Sequence, residues 1–125
     1  MQLLKKIRIK YRFAGVLIDV MSGAAASLAL PPFFVLPTLC ILGLPVWRMI
    51  HANSRVEAAG IFGAAGFGWF LASTFWVSHA LIVSAPTLWF LTPFVALTLA
   101  LILATFWAVA AAASWIPHAS AMVRV

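Results

Sequence analysis

Charge is scarce in this chain and acid nearly absent: only 8% of its 125 residues are charged, and Asp19 and Glu57 are the two acidic side chains. Cys40 is the single cysteine, which excludes an intrachain disulfide and any cysteine-based metal cluster. So few polar side chains cannot coat a water-soluble domain, and the 66% hydrophobic content and mean hydropathy of +1.13 exceed what such domains carry. The solvent of this chain is mostly lipid. No nucleophile, base and oxyanion-binding group come together in any motif, so the sequence nominates no catalytic residue, no metal site and no cofactor.

What charge there is falls in patches. Lys5, Lys6, Arg8, Lys10 and Arg12 crowd the start, Arg48 and Arg55 bracket a later polar gap, and Arg124 lies in the tail, whereas gaps 31–37 and 82–87 carry no charge. This alternation is that of a chain threading a bilayer with its cationic loops in the cytoplasm. The net charge of +6 suits anionic phospholipid headgroups, at about 1 kcal/mol per cation near the surface. Nucleic acid is the poorer partner, because no basic face follows the N-terminal run.

Hydropathy divides the chain into a basic N-terminus (1–12), a transmembrane region (13–116) and a short tail (117–125). Within it four apolar stretches, about 13–30, 33–50, 58–81 and 88–115, predict an all-α integral membrane protein with both ends cytoplasmic. Pro31 and Pro32 end the first stretch, and Pro37 and Pro45 fall near the ends of the second. The fourth is long enough to require tilt or an emerging last turn. Trp76, Trp89, Phe90 and Trp115 fall near stretch ends, where aromatic rings prefer the headgroup level; Trp69 and Trp107 lie deeper and read as packing residues. The basic start and Ala24 to Ala26 mimic a cleaved signal peptide, but Asp19 within the apolar core argues against one.

Helices in lipid associate through small residues that allow close backbone approach. Gly60, Ala64, Gly68 and Ala72 form one stripe on the third stretch; Ala96, Ala100, Ala104, Ala108 and Ala112 form another on the fourth, and the two are expected to pack together. Gly63, Gly66 and Gly68 lack the order and the preceding strand of a nucleotide-binding loop and read as packing glycines.

Asp19 is the sharpest single residue, since a carboxylate inside a membrane helix costs roughly 2.5–3.5 kcal/mol on insertion scales and is a functional candidate by default. Arg12, seven residues earlier, shares its face and could reach toward it, so structural pairing or interface solvation competes with ion coupling as the role of Asp19. His79, near the outer end of the third stretch, is a second polar candidate that could bind a headgroup or titrate near neutral pH. Glu57 reads as a solvated loop charge beside Arg55, His51 and His118 as too scattered for a metal site, and Cys40 as a small hydrophobe.

The run Gly66-Phe-Gly-Trp-Phe-Leu-Ala-Ser-Thr-Phe-Trp76-Val, followed by Ser78-His-Ala-Leu81, resembles the third membrane segment of the apolipoprotein N-acyltransferase family. Gly23-Ala-Ala-Ala-Ser-Leu-Ala-Leu-Pro31-Pro32-Phe33, Pro37 and Pro45-Val-Trp47 look like its first two segments, and Trp89-Phe-Leu-Thr-Pro93-Phe with the alanine-rich helix like its next. The resemblance implies a multi-pass protein of the bacterial inner membrane, its N-terminus cytoplasmic. The implied activity moves a fatty acyl chain from a phospholipid to the N-terminal cysteine amine of a diacylated lipoprotein, through a cysteine thioester. The family's Glu, Lys and Cys triad belongs to a nitrilase-like domain on the outer face, which this chain lacks. The resemblance therefore implies a fragment, inactive alone, whose partners are the lipoprotein substrate and the missing catalytic half. Cys40 matches a membrane segment and not the catalytic motif.

A small proton-coupled multidrug transporter using Asp19 is the competing reading, and a non-catalytic membrane scaffold a third. That transporter family uses Glu and lacks both the paired prolines after the first span and the long basic N-terminus.

Overall fold

A computed structural model describes the backbone of residues 2–31 and 33–115, and the side chains of residues 12–31, 33–74, 77 and 79–115. His118, Arg124 and the 117–125 tail lie outside the described residues, as do the side chains of the first four basic residues. The described chain is all helical: α1 (Gln2–Ala26), α2 (Gly43–Ile50), α3 (Arg55–Ser73), α4 (Phe75–Ser84) and α5 (Thr92–Ser114), with 3-10 segments at Ser27–Ala29, Leu36–Leu42 and Pro86–Leu91. Three helical segments, within Arg12–Ala29, Arg55–Ser73 and Pro86–Ser114, are long and apolar enough to cross a membrane, and a shorter apolar segment runs from Leu36 to Ile50.

The second apolar stretch departs from a plain helix for a reason written in its prolines. Leu30 is extended (φ −81°, ψ 159°), as the residue before Pro31 must be, and Pro37 opens the 3-10 segment Leu36–Leu42. Pro45 sits in the first turn of α2, where its missing N–H is tolerated. A 3-10 segment rises about 2.0 Å per residue against 1.5 Å in an α-helix, so Leu36–Ile50 reaches roughly 26 Å despite its shortness.

The third stretch breaks as well. Thr74 donates both its backbone N–H (2.9 Å) and its hydroxyl (2.6 Å) to the Phe70 carbonyl, and the Ser73 hydroxyl donates to the same oxygen (3.3 Å). Hydroxyls bonded back onto the helix compete with the i to i−4 ladder and bend it, here separating α3 from α4. At its other end α3 begins with a capping box: Ser54 accepts from the Glu57 N–H (3.1 Å), and the Glu57 carboxylate accepts from the Asn53 N–H (2.9 Å). Glu57 is exposed, as a loop charge would be, but it organises the start of a helix.

The burial pattern is that of a protein turned toward lipid. The buried positions are mostly small or polar, among them Ser22, Ala26, Ala58, Ala65, Ala100, Ala104 and Ala111. The outward ones are large and apolar, including Leu17, Met21, Leu101, Phe106 and Val109. A water-soluble fold distributes these classes the other way.

Packing rests on glycines at two kinds of contact. A Cβ on Gly23 would lie 1.9 Å from the Ala65 carbonyl oxygen, and one on Gly68 would lie 1.9 Å from that of Val20. This reciprocal arrangement seats α1 on α3 with their backbones touching, and directs each glycine Cα–H at a carbonyl of the other helix. On the opposite side of α3, Gly63 meets Ala108 and Gly66 meets the Trp107 ring of the antiparallel α5. Trp107 lies among Phe62, Trp69 and Phe70, with ring centroids 5.7 to 6.1 Å apart. The Gly60 to Ala72 stripe is therefore divided. Gly68 belongs to the α1 contact, Gly60 and Ala72 are exposed, and Ala64 is half-buried. On α5, Ala100 and Ala104 are buried and Ala96, Ala108 and Ala112 half-buried.

Two substitutions in one helix separate these environments. Gly68→Ala is expected to lower stability in detergent by about 1–3 kcal/mol, the usual penalty of overpacking, because it meets backbone that cannot swing aside. Gly60→Ala, with nothing within 4 Å of its new methyl, should leave the thermal midpoint unchanged or slightly higher. Circular dichroism melts of both variants read the difference.

Candidate functional site

The inward face of α1 carries Gly15, Asp19, Ser22, Gly23 and Ala26 at helical spacing, and Asp19 is its one ionisable group. Asp19 is 1% exposed, and its carboxylate is bonded by the guanidinium of Arg48, whose side chain is 28% exposed. The same Nη1 donates to the Gly15 carbonyl at 2.7 Å. Gly15 makes room for the contact, since a Cβ there would stand 2.6 Å from the other guanidinium nitrogen. Ser22 completes the local network by donating to the Asp19 carbonyl at 2.7 Å.

Arg48, not Arg12, is therefore the partner of Asp19. Arg12 is exposed, and the Asp19 carboxylate is bonded by Arg48. Arg48 comes from α2, brought alongside by the return of the second apolar segment. An acid and a base of opposite sign in successive apolar stretches are the sequence signal of such a pair, because each alone is costly in lipid.

The same end of the bundle holds another tie between distant segments. The Trp115 indole N–H donates to the Ala52 carbonyl at 3.2 Å, and Trp115 and Met49 pack on the buried cluster of Ala52, Ala58 and Ile61. The end of α5, the α2–α3 connection and the Arg12 to Gly15 turn of α1 thus share one end. The turns around Pro31 and Pro86 occupy the other. His51 stacks on Trp47 with centroids 4.5 Å apart and its Nδ1 lies 2.8 Å from the Trp47 carbonyl, an arrangement local to α2.

The remaining sequence candidates are not gathered into a site. His79 is exposed on α4 while Asp19 faces α2. Cys40 is free and exposed on the 3-10 segment. Among the described residues no three His, Cys, Asp or Glu side chains could hold a metal ion. The open grooves, with volumes of about 330, 360 and 430 Å³, are lined by apolar and hydroxyl side chains and contain no titratable group. Among the described residues, no acid, base and nucleophile are gathered around one of these grooves.

Comparison with known proteins supplies what the polar groups do not. The chain is 34% identical to the apolipoprotein N-acyltransferase of Caulobacter vibrioides over 79% of its own length. It is 30% identical to those of Rhizobium rhizogenes and Rhizobium etli over 96% and 99% of its length. The chain belongs to the apolipoprotein N-acyltransferase family. It spans only about a fifth to a quarter of these relatives, 19%, 24% and 25% of their lengths respectively. No family model and no solved structure matches it. The likeness to the apolipoprotein N-acyltransferases covers the glycine contacts, the Thr74 break and the Asp19–Arg48 pair, so the region shared with these proteins is the helical scaffold just described.

Removing one partner of a buried pair strands the other charge, which costs roughly 3–5 kcal/mol in protein interiors. Arg48→Met should accordingly destabilise the chain by about 3 kcal/mol. The double variant Asp19→Leu with Arg48→Met should recover about 2 kcal/mol of the summed single-variant losses. A double-mutant cycle from detergent melts checks this; strict additivity would mean that the pair contributes nothing as a pair.

Proposed function

We propose that this chain is the N-terminal membrane portion of an apolipoprotein N-acyltransferase-like protein of the bacterial inner membrane, with its N-terminus and the Arg48 end of the bundle cytoplasmic. The observation that carries the reading is collinear similarity over 96–99% of the chain to only about a quarter of two relatives. The basic run in the N-terminal half of α1 and the absence of charge from 31–37 and 82–87 support the orientation. On this reading the chain contributes a lipid-embedded scaffold. Transfer of an acyl group from a phospholipid to a lipoprotein amine is performed by residues outside it.

Cys40 is not the acyl carrier. It lies on the 3-10 segment of the second apolar stretch, which matches a membrane segment of the family and not its catalytic motif. The proton-coupled transporter reading draws no support from Asp19, whose carboxylate is already engaged by Arg48. The geometry of a structural pair favours the scaffold.

Expression in a bacterium depleted of its own apolipoprotein N-acyltransferase tests the proposal. The chain alone should neither restore growth nor yield N-acylated lipoprotein by mass spectrometry of the N-terminal peptide, and Cys40 should carry no hydroxylamine-sensitive acyl group. A longer reading frame that includes this region and a catalytic domain should restore both. Rescue by the 125-residue chain alone would sink the proposal.

A further inference from the structure

The connection between α1 and the second apolar segment has an unusual backbone. Its N–H groups are consumed internally: Leu30 donates to Ser27 (2.9 Å), Phe33 and Phe34 to Leu30 (3.1 and 3.3 Å), and Val35 to Leu28 (3.1 Å). Leu36 donates to Phe34 (3.0 Å) across an inverse γ-turn at Val35 (φ −82°, ψ 74°), and Thr38 donates to Val35 (3.0 Å). The other three positions from 30 to 38 are Pro31, Pro32 and Pro37, which have no N–H to satisfy. Even the Thr38 hydroxyl is turned inward, donating to the Val35 carbonyl at 2.6 Å. A loop in water has no need of such economy, because water satisfies its donors; a loop in lipid does.

Two further observations point the same way. No charged residue lies between Asp19 and Arg48, and the loop presents Phe33, Phe34 and Leu36 outward, each 64–65% exposed. Phe34 is held at φ 52°, a left-handed conformation that a bulky side chain adopts only when its surroundings impose it. The segment that follows reaches only about 26 Å, less than the roughly 30 Å of the hydrocarbon core. With Arg48 near the opposite boundary, its start falls short of the far one.

We infer that the Leu30–Thr38 connection is embedded in the bilayer, with Phe33, Phe34 and Leu36 against lipid acyl chains just below the headgroups, and is not a loop projecting into water. On this inference the uncharged gap 31–37 is not an aqueous loop. It holds for either orientation of the chain and does not depend on acyl transfer. The occupant of the surface is lipid, since nothing on it pairs with charge and its backbone offers no free donor to a protein strand.

Depth measurement by spin label tests the inference directly. With Cys40→Ser as background, Phe33→Cys and separately Leu36→Cys are labelled in the full chain, reconstituted in phosphatidylethanolamine and phosphatidylglycerol vesicles. Leu101→Cys on α5 serves as a lipid reference and Asn53→Cys as an aqueous one. The expected result is an oxygen-to-nickel-chelate accessibility ratio at 33 and 36 close to that of Leu101 and several-fold above that of Asn53. A ratio matching Asn53 would place the loop in water, and low access to both reagents would place it under protein; either overturns the inference. Helicity by circular dichroism selects the folded variants, and the two loop positions provide independent readings should one fail to insert.

Discussion

The pairing of Arg48 with Asp19 is the constraint around which the other features arrange themselves. A carboxylate two turns inside a membrane helix and a guanidinium at the end of the next segment are each unfavourable in lipid, and they become tolerable only together. Meeting requires that Leu36–Ile50 return alongside α1, which the 3-10 stretch of Leu36–Leu42 accomplishes by covering distance with few residues. Gly15 provides the opening for the guanidinium, and its carbonyl accepts a second bond. The pair thereby fixes the register between the first two segments, while Gly23 and Gly68 fix that between the first and third.

Much of this was visible in the residue order. The helical class, the apolar stretches and the depth of Trp69 and Trp107 follow from hydropathy, and the small residues announced close packing somewhere. The particular contacts were not visible, because one short stretch of α3 serves two neighbours: Gly68 faces α1 while Gly63 and Gly66, on the opposite side, serve α5. A repeat of four residues drifts around a helix of 3.6 residues per turn, so Gly60 and Ala72 rotate out of the contact that Gly68 makes. The Ser54–Glu57 capping box was legible from its spacing, yet charge alone suggested a mere loop.

The Asp19 partner was misread for a different reason. Arg12 is the nearest cation in the sequence of α1, but helical adjacency extends only three or four residues, and the cation that answers a buried acid is chosen by the fold. The breaks in the second and third stretches escaped hydropathy because both are made by apolar or weakly polar residues. Prolines set one, and hydroxyls folded back onto the Phe70 carbonyl set the other. Neither lowers hydropathy enough to interrupt a span.

These features divide the bundle into two unlike ends. At one, Arg48 joins Gly15 and Asp19, and Trp115 joins Ala52, so side chains tie segments far apart in sequence. At the other, the turn after α1 satisfies its own backbone, the Thr74 break draws on Phe70 of the same turn, and Ala85 bonds Leu81. Bonds of that kind survive a shift of one segment against another, whereas those of the Arg48 end do not. The end held by local bonds and packing is the one that can open at lower free energy. The end tied by Arg48 and Trp115 keeps the segments in register.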